Sequence, residues 1–459
     1  MRFDFSSIRS FVSQLTFLKV SQFFLSLFLL SFPFQIRTII YTPSLYLTGN
    51  FDNFTTGFVF ASELFLLMAF IAYGLSFYRK EQVWSFHFGD QKITAILLLF
   101  LTIILATVFV AQDKFLHLLL SFRFLELFLF YILIVNEVLP LKKVFFFFFV
   151  SMAFQALTAF YQYLIQGSLG LNFLGEPIAT VQTLGVAKMD VAGMKILRAF
   201  GTFPHANVLG GALCMALILC FQRLSKQIWF YLPLILLLGL GFIFSFSRSA
   251  FFGLVIGFLV YISIDAHKTT FRAIILFVSL LFLLMVLFGV ETIFFQRFLF
   301  EDSSSLQERT AYLSASVQML KAHPFGVGLG GFTLLMQYFS PEKFLPWIFQ
   351  PVHNVFMVVA NETGILGGAV FLALFIILFL SLIKAKREVH SESERQYGAM
   401  LIALLFTIAT ISLFDHYFFT LYSGQVLLFF YIALASSFVS KSLLPLKNSS
   451  IGNGFLPSS

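Results

Sequence analysis

Three side chains in this sequence have both the type and the setting to do chemistry: Arg248, Arg309 and His353. Arg248 sits in Phe244-Ser-Phe-Ser-Arg-Ser-Ala-Phe-Phe-Gly253, between two apolar runs. A guanidinium at a membrane boundary is costly unless it is paired or meets water. No acidic residue lies near Arg248 in sequence, and its forked donors suit a phosphate. Snorkelling to lipid headgroups is the competing reading. Arg309 opens the stretch Arg309–Leu320, whose apolar residues Ala311, Leu313, Ala315, Val317 and Leu320 predict a helix. That puts Arg309 in a first turn, where the helix dipole disfavours an unpartnered cation. Either a ligand or an ion pair with Glu301, Asp302 or Glu308 would satisfy it. His353, in Pro351-Val-His-Asn354, titrates at about 6.5 when unperturbed and can take a proton from a hydroxyl.

His205, in Gly201-Thr-Phe-Pro-His-Ala-Asn207, and the neighbours Asp415 and His416 are secondary candidates. His205 is expected to cap or line the start of an apolar run. Asp415 would orient a neighbouring group or finish the run before it. Arg123 and Glu126, three residues apart in one run, read as a pair internal to a helix. The run Gly326-Val-Gly-Leu-Gly-Gly331 lacks the Lys-Ser/Thr ending and preceding strand of a phosphate loop and reads as a flexible turn. No His-x-x-x-His or Asp-x-Asp spacing occurs on the polar segments, and Glu301-Asp302 stands isolated, so chemistry without a metal or other cofactor is expected. Cys214 and Cys220 share one apolar run and read as buried free thiols.

The elements that must position these groups are membrane spans. Hydrophobic residues make up 59% of the chain and charged residues 11%, against about 45–50% and about 25% in soluble domains. No soluble core of this length hides that excess. The spans expected are Leu18–Phe32, Gly57–Tyr78, Ile93–Val110, Phe115–Val135, Val144–Ile165, Val208–Phe221, Trp229–Phe246, Ala250–Ile264, Ala273–Val290, Gly364–Ile383, Met400–Phe414 and Gln425–Val439. The sixth is the weakest, since Gly210, Gly211 and Arg223 limit its apolar length. The expected fold is therefore an all-α polytopic membrane protein of about twelve transmembrane helices. Residues 1–446 form a single integral membrane domain, and 447–459 a disordered cytoplasmic tail. The one long polar gap, Glu291–Asn354 between helices 9 and 10, would be a lid over a site at one face.

With both termini cytoplasmic, 18 of the 29 Lys and Arg residues fall on the cytoplasmic side, as the positive-inside rule expects. The net charge of +8 is thus topological, and nucleic-acid binding is not implied. The N-terminal run lacks a small-residue cleavage site after Phe32 and reads as the first helix rather than a signal peptide. The first outer segment, Pro33–Thr56, carries Tyr, Thr and Asn but no chemistry that the sequence identifies.

Four stretches resemble the O-antigen ligase and polymerase superfamily of lipid-linked glycan transferases: Gly201–Gly211, Ser245–Gly253, Arg309–Phe332 with Ala322-His-Pro-Phe-Gly-Val-Gly-Leu-Gly-Gly-Phe332, and His353–Gly368 with Asn361-Glu-Thr-Gly-Ile-Leu-Gly-Gly368. Their order, spacing and common side carry the resemblance. It implies an undecaprenyl-pyrophosphate donor bearing a glycan, engaged at the outer face of the bacterial cytoplasmic membrane. It also implies that Arg248 and Arg309 hold the pyrophosphate while His353 helps an acceptor hydroxyl attack the anomeric carbon with inversion. The acceptor stays open among glycan, lipid and protein, because ligases, polymerases and protein O-oligosaccharyltransferases share these motifs. A polysaccharide or lipid flippase is the alternative from another class. Such a transporter would show internal repeats, broken helices and polar groups near mid-membrane.

Overall fold

The computed structural model describes residues 16–43, 52–81, 86–191, 193–224, 228–265, 268–299, 303–340 and 349–443. The expected tail at 447–459 and the pair Glu301-Asp302 lie outside the described residues. Each of the expected apolar runs is helical: α1 Phe17–Ser31, α2 Ala61–Tyr78, α3 Gln91–Ala106, α4 Lys114–Val135, α5 Leu141–Ile165, α6 Ala206–Leu224, α7 Ile228–Ser245, α8 Arg248–Ile264, α9 Lys268–Leu287, then α13 Val355–Glu388, α14 Glu392–Phe414 and α15 Tyr422–Leu443. Three further helices, α10 Glu291–Leu299, α11 Ser303–Ala322 and α12 Gly331–Phe339, fill the long polar gap. Among the described residues, α2, α3, α4, α5, α13, α14 and α15 are long and apolar enough to span a bilayer. The pair α9 and α10, bent by 108°, makes an eighth candidate, and α1, α6, α7 and α8 are shorter apolar helices. The chain is an all-α polytopic membrane protein.

Polar caps set where the helices begin. Asp90 accepts from the amides of Lys92 and Ile93 to start α3, and Asp113 accepts from Leu116 to start α4. Each cap satisfies amides that a helix start leaves without partners. The centre of the bundle is α15, buried without interruption from Tyr422 to Val439. Helix α6 is also buried through its apolar length. Gly210 and Gly211, which shorten its apolar character in sequence, let Ser247 and Tyr417 approach its backbone. Two small antiparallel hairpins lie between helices: β1 Arg37–Tyr41 with β2 Gly57–Phe60, and β3 Lys188–Val191 with β4 Met194–Leu197. The second expected span thus begins at Ala61, because Gly57–Phe60 is strand.

Three local readings of the sequence are corrected. Arg123 does not form an ion pair with Glu126; its Nε lies 2.6 Å from Glu63 Oε1 on α2, and its Nη2 donates to Phe58 O at 2.7 Å. That partner is sixty residues away in sequence, so helix spacing could not reveal it. The Gly326–Gly331 run is not a loose turn. Helix α13 breaks at Gly364 (φ 80, ψ 171), a conformation open essentially to glycine alone. The freed carbonyls of Asn361 and Glu362 accept from the amides of Val327 and Gly328 at 3.0 and 2.9 Å. Gly326 and Gly364 allow this crossing, since a Cβ on Gly364 would stand 2.7 Å from the carbonyl carbon of Phe325. Finally, α11 starts at Ser303, so Arg309 lies in its second turn and the first-turn dipole argument does not apply to it.

Candidate functional site

The break in α13 sets up the site. Its first segment begins at Asn354, whose Oδ1 accepts from the amide of Met357 at 3.0 Å and fixes the start of the helix. His353, the residue before it, is thereby held beside Tyr312 of α11. Its ring faces His416 at 5.2 Å and 75°, and Tyr312 of α11 at 6.0 Å and 22°. Among the described residues no hydrogen-bond partner reaches His353 Nδ1.

On one side of His353 is a chamber of about 150 Å³. Its wall contains four guanidinium groups: Arg198 from the segment before α6, Arg248 at the start of α8, Arg297 from α10 and Arg309 from α11. Glu308 is the one carboxylate among the described lining residues, so the wall carries a clear excess of positive charge. The start of α8 adds to it, with Ser249 of its first turn in the wall. Arg198 is only 5% exposed, and its Nε donates to Ser245 O at 2.9 Å. Burial and the neighbouring Arg297 push its pKa down to about 9, which still leaves it charged at neutrality.

A chain of hydrogen bonds leads from this chamber to the other side of His353. Arg198 Nη2 donates to Asn207 Oδ1 at 2.5 Å, and Asn207 Nδ2 donates to Asp415 Oδ2 at 2.6 Å. Asp415 Oδ1 accepts from the amide of His416 at 2.9 Å, and His416 Nδ1 pairs with Thr420 Oγ1 at 2.7 Å. His205 caps the start of α6, as its position suggested: Nδ1 accepts from the amide of Asn207 at 3.1 Å. A neutral imidazole that accepts at Nδ1 carries its proton on Nε2. Burial and Arg198 lower the His205 pKa to about 3, so it stays neutral and can only donate through that Nε2–H. Burial, then His416 and Arg309, hold the His353 pKa well below its ordinary value. His416 is lowered by burial as well, against the opposing pull of Asp415.

The structure therefore brings Arg248, Arg309, His353, His205, Asp415 and His416 into one neighbourhood. It adds four residues that sequence reasoning missed: Arg198, Arg297, Asn207 and Tyr312. Arg198 and Arg297 were visible only as cations on polar segments, with no spacing to link them to Arg248. Residues 232–372 match the family model described as O-antigen ligase. The chain carries an O-antigen ligase domain. A domain of this kind marks an enzyme of the O-antigen ligase and polymerase type, found among membrane proteins of polysaccharide biosynthesis that handle lipid-linked glycans. The ligase-matched segment supplies Arg248, Arg297, Arg309, Tyr312 and His353. Arg198, His205, Asn207, Asp415 and His416 reach the same place from outside it. No curated protein matches the chain.

Proposed function

We propose that this chain transfers a glycan from an undecaprenyl-pyrophosphate donor to an acceptor hydroxyl at the outer face of the cytoplasmic membrane, without a metal and with inversion. The observation that carries the reading is the four-arginine chamber beside a neutral His353. Arg198, Arg248, Arg297 and Arg309 hold the pyrophosphate, and Nε2–H of His205 gives a further donor. His353 takes the proton of the acceptor hydroxyl as its oxygen bonds to the anomeric carbon. The bond from that carbon to the phosphate oxygen breaks, and undecaprenyl pyrophosphate leaves with the electron pair. Charge develops on the departing oxygen, where fixed cations stabilise the transition state most. Asp415, tied to Asn207 and to the backbone of His416, orients the histidine pair.

The distribution of Lys and Arg supports cytoplasmic termini and a site on the outer face, which Glu291–Asn354 would cover as a lid. The flippase alternative draws on the break in α13, a feature that transporters share. Here, however, the freed carbonyls of Asn361 and Glu362 are taken by loop amides rather than left for a cargo. The test is glycan profiling of a host lacking its native gene, complemented with wild type or His353→Ala at matched membrane levels. Wild type should restore the mature glycan, while His353→Ala accumulates lipid-linked donor on the outer leaflet. Donor accumulating on the cytoplasmic leaflet would instead establish a transport defect.

A further inference from the structure

His353 also lines a second chamber, of about 660 Å³. It shares His205, Asn207, Glu308, Gln350 and His353 with the arginine chamber and ends at a rim formed by the 175–187 segment. We propose that this larger chamber is the acceptor site, that it receives the end of a saccharide, and that Gln35, Arg37 and the 175–187 segment decide which saccharide is accepted. The proposal rests on the smaller chamber being the seat of the donor pyrophosphate.

Size separates the two roles. Pockets that bury a whole small ligand run to roughly 300–1,000 Å³. The larger chamber falls in that range, whereas the 150 Å³ one suits a compact charged group. Position agrees with size. Inversion requires the incoming oxygen and the leaving oxygen on opposite sides of the anomeric carbon, and His353 lines both chambers. A base there reaches the acceptor hydroxyl while the arginines hold the leaving group.

The chemistry of the wall points to a ligand rich in hydroxyls. Gln35, Asn53 and Gln350 offer side-chain amides and Arg37 a guanidinium. Such groups donate or accept in pairs, as vicinal hydroxyls demand. Phe54 contributes an aromatic ring, and the rim residues Ile178 and Leu184, 73% and 75% exposed, present apolar surface to the C–H faces of a sugar. A polypeptide acceptor would be read along a strand edge or in an apolar groove. Among the described lining residues only Arg37 belongs to a strand. Arg37 is braced from behind, with its guanidinium 4.0 Å from the centre of the Phe58 ring.

The limits of the family match sort the residues the same way. Segment 232–372 includes three of the four chamber arginines and His353, but none of Gln35, Arg37, Asn53, Phe54 or the 175–187 rim. The shared domain handles the donor; the outer wall belongs to this chain's own acceptor. The outer segment that carried no readable chemistry in sequence, Pro33–Thr56, thereby gains a role.

The test uses the full chain in lipid nanodiscs with undecaprenyl-pyrophosphate-linked glycan extracted from the source cells as donor. Three acceptors are titrated: delipidated glycan of the donor's own repeat, a lipid-anchored core oligosaccharide, and a serine-containing peptide. Arg37→Gln and Leu184→Trp are the variants, the second being a rim change at an exposed position. Both should raise the KM for a saccharide acceptor, by roughly ten-fold for Arg37→Gln, the loss of one hydrogen bond to a charged group. The KM for donor and the binding of undecaprenyl pyrophosphate should not move. Transfer to the repeat identifies a polymerase and transfer to the core a ligase, and both uphold the proposal. Acceptor KM unchanged in both variants, or transfer to the peptide alone, overturns it. If Arg309→Ala binds undecaprenyl pyrophosphate as tightly as wild type, the donor reading itself fails and the proposal falls with it.

Discussion

The presence of His353 in the lining of both chambers makes its pH behaviour a sharp test. In the free protein, burial, then His416 and Arg309, hold its pKa well below about 6.5, so it is neutral at pH 7 but a weak base. Donor binding changes the field. A cavity of 150 Å³ treated as a sphere has a radius of roughly 3.3 Å, which places a charge at its centre about 6 Å from a ring in its wall. At an effective dielectric of about 20, one uncompensated negative charge at that distance favours the imidazolium by about 2.8 kcal/mol, or about two pKa units. The arginines neutralise part of the pyrophosphate, and halving the effect leaves an upward shift of about one unit. Rates of transfer measured from about pH 5 to 8 should thus show two acid limbs. In kcat/KM for donor, which reports the free protein, the limb lies below about 6.5. In kcat, which reports the loaded protein, it lies about one unit higher. Both limbs should vanish in His353→Gln. Coincident limbs, or a limb that survives in His353→Gln, would refute the assignment of His353 as base facing a charged donor.

Arg198→Gln should weaken binding of undecaprenyl pyrophosphate about ten-fold or more, the worth of one charge-assisted hydrogen bond, as read by titration calorimetry. Unchanged affinity would remove Arg198 from the donor site. Glu63→Gln leaves the charge of Arg123 buried without its carboxylate and should cost about 3–5 kcal/mol in stability. Thermal unfolding in detergent checks this, with donor affinity expected to stay at the wild-type value. His205, His353 and His416 all have depressed pKa values, so the stability they lend as neutral groups is fully present above about pH 6.5. It is lost as pH falls, for His205 down to about 3, with a slope of about 1.4 kcal/mol per pH unit for each group being held neutral. The unfolding temperature should therefore drop on acidification, and less steeply in His205→Gln.

The sequence carries most of the helix plan, because an apolar run in lipid has few alternatives to a helix. Even the break in α13 has a trace, since the expected tenth span began at Gly364, where the first segment ends. Arg248 and His353 drew attention because each borders an apolar run, and Arg309 because it opens a stretch with helical apolar spacing. Arg198 and Arg297 lie in polar segments where a cation needs no explanation, and only tertiary packing brings them to Arg248. The same limit applies to Arg123, whose neighbour at helix spacing was Glu126 and whose partner is Glu63. The glycine run at 326–331 misled for another reason. Glycine reports that the backbone is free to adopt unusual angles, and it does not say whether another backbone then fixes it in place. Here Val327 and Gly328 are fixed by Asn361 and Glu362.

His353 lines both chambers, so in the proposed reaction a hydroxyl in the larger one and a donor in the smaller one meet at one side chain. Water is an alcohol without a carbon chain, and it offers His353 the same kind of proton. In the proposed reaction each loaded donor therefore faces a choice between productive passing-on of its glycan and simple loss of it to solvent. A bound, aligned hydroxyl competes at an effective molarity of about 10⁵–10⁸ M, far above the tens of molar that water supplies. The outcome then depends on how much of the time the larger chamber is filled. Free reducing glycan shed into the medium would count those idle moments, turning a flaw of the architecture into a readout of acceptor supply.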